Sequence, residues 1–180
     1  MILEAIEQRR SRRGLSPEGL EQKIVEELLL AGTLAPSCYN NQPWHLIPVQ
    51  GEKLLELQDA LAEGNRWAKK APLIIALAVR PCDDCRLDEG RDYAYFDLGL
   101  CAMNIMLQAS HLGLIAHPIA GFTPKKVRSI LTIPKEYDII TLLVIGKPGP
   151  ADDLENWQIK AETSSRDRKP LDQVVHWNGW

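Results

Sequence analysis

The chain has 180 residues, 45% hydrophobic and 25% charged, with a formal net charge of −3. That is enough apolar chain for one globular core over residues 1–180 without covalent staples. The acidic balance excludes a surface that attracts nucleic acid as a whole, and no apolar run reaches the roughly 20 residues needed to cross a bilayer. The start, "MILEAIEQRR", puts its apolar part before its basic part and carries two glutamates, unlike a secretory signal. Cys38, Cys82, Cys85 and Cys101 form no dense disulfide framework. A cytoplasmic protein with reduced thiols is expected.

Ile2, Ala5 and Ile6 suggest a short helix running into a basic cluster. "LSPEGLEQKIVEELLLAGTLAPS" reads as a helix, with Ser16 as N-cap, Pro17 in the first turn, an apolar face through Leu20, Ile24, Leu28 and Ala31, and a stop at Pro36. "WHLIPVQ" (44–50) is a strand whose Pro48 argues for a sheet edge. "GEKLLELQDALAEGN" is a helix closed by Gly64 and Asn65. "APLIIALAVRP" is a strand buried on both faces, followed by a polar loop over 81–90. Residues 92–114 form a long helix, apolar nearly all round, which belongs at the centre of the molecule or at an interface. "AHPIAGF" is extended, "TPKKVRSILTI" a helix capped by Thr123, and "YDIITLLVIGKP" a second buried strand. The polar stretch after it ends in a second basic cluster, and "LDQVVHWNGW" closes the chain as an extended aromatic tail. Helices and strands alternate without a regular βαβ rhythm, so a mixed α/β or α+β layer structure is expected.

The basic clusters are Arg9, Arg10, Arg12 and Arg13 near the start, and Arg166, Arg168 and Lys169 near the end. Ser11 lies within the first; Thr163, Ser164 and Ser165 precede the second. Guanidinium forks and hydroxyls can converge several charge-assisted hydrogen bonds on one dianion such as phosphate. Two solvated faces are the plainer reading, and a nucleic-acid patch is a third, weakened by the acidic remainder. No G-x-G-x-x-G occurs, and "VIGKPGP" lacks the upstream glycine and following hydroxyl of a P-loop. A phosphate here would be held by side chains.

"APSCYNNQPWHLIPV" (35–49) places Ser37, Asn40 and Gln42 on a tight polar turn, which turn chemistry alone could explain. Taken with the first cluster, the order R-R-S-x-R, then S-x-x-N-x-Q-P-W, resembles the nitroreductase family of FMN-dependent oxidoreductases. "GNRWAKKAPLIIAL", "DLGLCAMNIMLQASHLGL", "PIAGF", "LLVIGKP" and "RDRKPLDQVVHW" follow in order over nearly the whole chain. The resemblance implies an α+β fold with a mixed, mainly antiparallel sheet flanked by helices. It also implies an intertwined homodimer, a C-terminal tail packed on the partner, and two FMN sites at the interface. By motif, Arg9, Arg10 and Ser11 would lie by the phosphate and ribityl chain, and Arg13 at the pyrimidine edge of the flavin. Arg166 and Arg168 would close over the phosphate, Lys169 less surely. Ser37 and Asn40, with Gln42 of the same motif, would touch the flavin across the interface, and the backbone of Ala120 and Gly121 would run near N5. Many relatives have glutamate where this chain has Ala120, and the chain is short for an insertion that roofs the substrate pocket.

The implied activity is transfer of electrons from NADH or NADPH, through flavin N5, to a nitroaromatic, quinone or similar acceptor by a ping-pong scheme. It needs no metal and no protein acid, base or nucleophile. A flavoprotein with another reductive or flavin-consuming reaction, and a non-enzymatic anion-binding module, are the competing readings. Cys82-x-x-Cys85 with His111 and His117 formally offers a Cys₂His₂ set, but at a spacing too long for a finger. A surface loop with two thiols is the plainer alternative. Cys101, Met103 and Met106 read as helix packing, and His45 and His176 as structural. Trp157, Trp177 and Trp180, in an otherwise polar tail, point to a partner subunit.

Overall fold

The uninterrupted apolar run after Pro72 becomes a strand with no solvent-facing side, and it sets the architecture. In the computed structural model, which describes residues 1–180, the helices are α1 (Glu4–Gln8), α2 (Gln22–Thr33), α3 (Gly51–Leu57), α4 (Ala94–His111), α5 (Pro124–Leu131) and α6 (Asn156–Thr163). The strands are β1 (Trp44–Val49), β2 (Leu73–Val79), β3 (Arg86–Leu87), β4 (Arg91–Asp92), β5 (Ile115–Ile119) and β6 (Asp138–Gly146). Four of them form one antiparallel sheet in the order β1-β2-β6-β5.

Every residue of β2 is buried, and the two-residue period of a strand divides its side chains between two cores. Ile74, Ala76 and Ala78 join Leu142 and Val144 of β6 against α3, α5 and the Trp67 turn. Leu73, Ile75, Leu77 and Val79 join Leu143 and Ile145 against α2 and α4. The result is three layers, helices on both faces of an antiparallel sheet, in the α+β class. Pro48 pairs with Ile75 from edge strand β1, and Pro118 pairs with Leu143 from the opposite edge, β5. Neither proline removes a bond from the sheet centre.

Local propensity and tertiary contact disagree in four places. The helix expected from Ser16 starts at Gln22, because Leu15 is fully buried in a bridge to Pro148 and Ser16 N–H donates to the Lys147 carbonyl at 2.9 Å. The α3 helix stops at Leu57, well short of Gly64, since Leu61 is drawn into a bridge with Phe122. Thr123 holds the N-cap position of α5 but makes no side-chain cap bond. The "polar tail" contains α6, begun by a reciprocal capping box between Glu155 and Gln158. The loop over 81–90 carries the small β3–β4 hairpin. The terminal segment has one 3₁₀ turn, Leu171–Gln173, and leaves Leu171, Trp177 and Trp180 exposed. No helix is long and apolar enough to cross a membrane.

Candidate functional site

The two basic clusters, more than 150 residues apart in sequence, meet. Arg166 Nη1 donates to the Ile6 carbonyl at 2.9 Å and to the Arg9 carbonyl at 3.4 Å. Arg10 Nη1 donates to the Ser164 carbonyl at 3.3 Å, and Arg9 Nη1 to Ser11 Oγ at 3.2 Å. Helix α1 packs on α4, and a cavity of about 350 Å³ between them is lined by Ile6, Arg9, Met103, Leu107, Arg166 and Arg168. No carboxylate is ion-paired with Arg9, Arg10, Arg166 or Arg168. Burial, and then the positive charge of Arg166, Arg168 and Arg10, holds the Arg9 guanidinium below its ordinary value. The cluster is therefore built of like charges that only an anion relieves.

Arg13 is treated differently. Its backbone N–H donates to Glu162 Oε1 at 2.8 Å, and its guanidinium lies 4.0 Å from the same oxygen. That guanidinium also stands over Trp157 at 5.1 Å and Trp67 at 5.9 Å. From Trp67 the contacts continue: its indole N–H donates to Asn65 Oδ1 at 3.3 Å, and Asn65 Nδ2 donates to the Gly121 carbonyl at 2.9 Å. Ala62 N–H reaches that carbonyl too, at 3.0 Å. A Cβ on Gly121 would sit 2.6 Å from Asn65 Nδ2, so a side chain there would displace the Asn65 amide from its bond to the Gly121 carbonyl. With their carbonyls fixed, Ala120 and Gly121 donate no N–H to another backbone group. Arg13 and Ala120–Gly121 are thus linked through Trp67 and Asn65. Asn65, Trp67 and Glu162 were not singled out from the sequence. Gly64–Asn65 read as a helix stop, and Glu162 lies in a helix that polar composition concealed.

Beneath the basic arm lies His117 on β5, 8% exposed, its ring 4.7 Å from Trp67. Its Nδ1–H donates to the Arg12 carbonyl at 3.0 Å. Burial pushes its pKa from 6.5 down to about 4, with Arg13 and Arg9 adding to the fall and the Arg12 bond opposing it. The folded chain therefore refuses a proton that the unfolded chain accepts. The stability this confers is full above pH 6.5 and is lost as pH falls through 4. The shift corresponds to about 3 kcal/mol. The urea midpoint of the native protein is expected to fall between pH 7 and pH 4 more steeply than that of His117→Gln; equal slopes would remove His117 as the cause.

The second set of expected residues lies on a separate loop. Ser37 Oγ accepts the Gln42 N–H at 2.9 Å, and Gln42 Nε2 donates to the Asn40 carbonyl at 3.1 Å. Tyr39, Asn40 and Gln42 all have positive φ, at 47°, 58° and 52°, a costly backbone for non-glycine residues. The loop is pinned from outside: Cys38 N–H donates to Asp97 Oδ2 at 2.8 Å, and Cys38 is disulfide-bonded to Cys85 with Cα atoms 6.3 Å apart. Burial, with the neighbouring Asp84 carboxyl, raises the Asp97 pKa against the opposing pull of that N–H. The disulfide corrects the expectation of four reduced thiols; Cys82 and Cys101 are free. The finger-like combination of Cys82 and Cys85 with His111 and His117 is not assembled, since His117 is committed to Arg12 and Cys85 to Cys38.

Ser37 and Cys38 line a cavity with Phe96 and Leu100, whereas Arg9, Arg166 and Arg168 line one with Met103 and Leu107. Positions 96, 100, 103 and 107 form one stripe of α4, with Phe96 56% and Met103 43% exposed. The two halves of the expected site stand at opposite ends of this stripe, roughly 16 Å apart at 1.5 Å per residue.

The sequence matches the nitroreductase family over residues 6–80 and 62–147, and the chain belongs to that family. Among its relatives, a provisionally named NADH dehydrogenase/NAD(P)H nitroreductase of Archaeoglobus fulgidus is 31% identical, the match covering 81% of this chain and 84% of the relative. An NADH dehydrogenase of Thermus thermophilus is 27% identical over 94% of this chain and 90% of its own. Of solved structures, an FMN-containing oxidoreductase superposes with TM-score 0.88 and 25% identity, covering 99% of this chain and 92% of that one. A nitroreductase family protein from Clostridium difficile, at 24% identity and full coverage of both chains, gives TM-score 0.81 and shares the fold.

Proposed function

We infer that the protein is a cytoplasmic, homodimeric FMN-dependent oxidoreductase that takes electrons from NADH or NADPH and gives them to a small acceptor such as a nitroaromatic or quinone. The observation that carries this reading is the meeting of Arg9, Arg10, Arg166 and Arg168 without a carboxylate partner. Such a pocket suits a dianionic phosphoryl group, and the residues present fit FMN in charge and in order. The arginines and Ser11 would hold the phosphate end, Arg13 would serve the pyrimidine edge, and the N–H groups of Ala120 and Gly121, which bond no other backbone group, would serve the N5 side. Bound FMN supplies a two-electron carrier that accepts and returns hydride at N5.

The protein's contribution is position and field. Arg13 offsets the negative charge that reduction places on the pyrimidine edge, while Trp67 and Trp157 keep its guanidinium from collapsing fully onto Glu162. Asn65 keeps the Ala120–Gly121 backbone in register. Ala120 leaves no carboxylate there, so the backbone donor does this work alone. A two-fold related copy laid along the α4 stripe would bring Ser37, Asn40 and Gln42 of one subunit to the arginine end of the other. The same packing covers the exposed Trp177 and Trp180. One groove serving donor and acceptor in turn leads to ping-pong kinetics.

Anaerobic titration with NADH and with NADPH tests the activity: the yellow holoprotein bleaches with at least one of them and recovers its colour with a quinone. A colourless preparation that takes up no FMN refutes the assignment. Arg13→Ala keeps FMN but lowers its midpoint potential. A charged hydrogen bond contributes about 1.5–3 kcal/mol, and a two-electron couple moves roughly 30 mV per 1.4 kcal/mol, so a fall of about 30–60 mV is expected. An unchanged potential would remove Arg13 from that role.

A further inference from the structure

We propose that Cys38, Asp84 and Cys85 form a binding site for a thiolate-preferring divalent cation, Zn²⁺ being the representative, and that the Cys38–Cys85 disulfide is its closed, oxidised state. Its ligands are not among the expected flavin contacts, although Cys38 shares the loop that carries Ser37, Asn40 and Gln42. The two sulfurs and a carboxylate oxygen of Asp84 all lie within 4.8 Å of one another, and ligands of a tetrahedral zinc stand roughly 3.3–3.8 Å apart. Small side-chain rotations after the S–S bond opens would complete three corners, with solvent as the fourth.

The second observation concerns Asp84 itself. It is only 8% exposed, its Oδ1 accepts a bond from Asn41 Nδ2 at 3.0 Å, and its Oδ2 has no partner. A buried carboxylate oxygen without a donor is uncommon and costly. Its nearest carboxyl neighbour is Asp97, whose pKa is raised by burial and by Asp84 itself. Asp97, 1% exposed, directs Oδ2 to the Cys38 N–H, and no lysine or arginine is ion-paired with either carboxyl. A cation held by an Asp84 carboxylate oxygen and two thiolates would offset the charge of that buried carboxyl. Two sulfur ligands select zinc over magnesium or calcium. Cys38 borders the cavity lined by Ser37, Leu87, Arg91, Phe96 and Asp97. Cys82 is a bystander: it is exposed, with its thiol directed at Asp83, which Arg80 clasps.

The two states exchange by a balanced step. A dithiol reductant gives two electrons and two protons to the Cys38–Cys85 bond and closes to its own disulfide. The two thiols then release their protons to solvent as Zn²⁺ binds. A small-molecule disulfide reverses the exchange: it takes two electrons from the two thiolates and, with two protons, becomes a dithiol, while the Cys38–Cys85 bond re-forms and the ion is released. In either state the strained 38–42 loop stays tied to the 84–85 turn, so the site secures this loop under reducing and oxidising conditions alike.

The test uses the full-length protein, either reduced with dithiothreitol and desalted anaerobically or left oxidised. Each sample is equilibrated with Zn²⁺ and freed of loose metal. The reduced chain is expected to retain one zinc and the oxidised chain none. Co²⁺ should give near-ultraviolet thiolate-to-metal absorption that zinc abolishes. Asp84→Asn should weaken binding by at least the roughly 10- to 100-fold that loss of even an outer-shell partner costs. Cys38→Ser and Cys85→Ser should each remove the cobalt absorption, and Cys82→Ser should match the parent, with circular dichroism confirming that each variant is folded. Zinc retention no greater in the reduced than in the oxidised chain overturns the proposal, and so does binding that survives Asp84→Asn unchanged. Dependence on Cys82 rather than Cys38 overturns it as well, as does an Asp84 oxygen found bonded to a buried water in reduced, zinc-equilibrated crystals.

Discussion

Arg9→Ala is expected to weaken FMN binding by roughly 10- to 150-fold, the loss of one or more charged hydrogen bonds worth about 1.5–3 kcal/mol. Arg168→Ala should do the same, and the double variant should purify without colour, although the two effects will not simply add because they share one anion. Arg168 is the cleaner probe, since its guanidinium is tied only to the adjacent Asp167 carbonyl, whereas Arg166 also fastens the tail to Ile6 and Arg9. Riboflavin has the ring and lacks the phosphate, so its affinity should hardly change in either variant. A second sign accompanies the first. Arg9 is buried among Arg166, Arg168 and Arg10, so its removal should leave the flavin-free protein no less stable, and more stable at low salt. Isothermal titration with both ligands and thermal unfolding of the apoprotein measure all of this. Equal losses for FMN and riboflavin would show that the arginines do not read the phosphate.

Gly149→Ala should be the most damaging small substitution outside the sheet. The chain segments around Leu15 and Pro148 cross backbone to backbone: Gly149 N–H donates to the Gly14 carbonyl at 2.9 Å. A Cβ at position 149 would lie 2.4 Å from the Leu15 carbonyl carbon and from the Ser16 nitrogen. No rotamer relieves a collision with backbone, so the segments must part and Leu15, fully buried, must leave its core. Overpacking of this kind costs about 1–3 kcal/mol or more, a fall in Tm of about 2–12 °C at this chain length. The crossing directly follows the arginine arm, so FMN affinity should drop with stability. Gly19→Ala, whose Cβ would meet nothing within 4 Å, is the matched control and should be silent. A Gly149→Ala protein with unaltered Tm and FMN affinity would mean that the arm is not held by this crossing.

The sheet was legible in the sequence because its determinants are local. An apolar run bounded by prolines reads as a central strand, and a proline within "WHLIPVQ" argues for an edge, where β1 lies. The arginine cluster was legible because charge and order survive unfolding. What escaped depends on pairs distant in the chain. Ser16 carries a helix-start signal, yet Leu15 is captured by Pro148 and the helix begins at Gln22. Asn65 looks like a terminator until Gly121 is folded against it. Cys38 and Cys85, 47 positions apart, share no local motif, so the visible Cys82-x-x-Cys85 pattern pointed to the wrong partner. Ser37, Asn40 and Gln42 form a coherent turn on a loop whose cavity lies at the far end of the α4 stripe from the arginine cavity.

The most direct test is a crystal structure of the protein grown with FMN. The account predicts a phosphoryl group within hydrogen-bonding distance of the Arg9 and Arg168 guanidinium groups, and a ring running from there toward Arg13 and Gly121 beside Ser37 and Asn40 of the partner subunit. A flavin whose phosphate lies in solvent, or a ring bound away from the groove between the two termini, would contradict it.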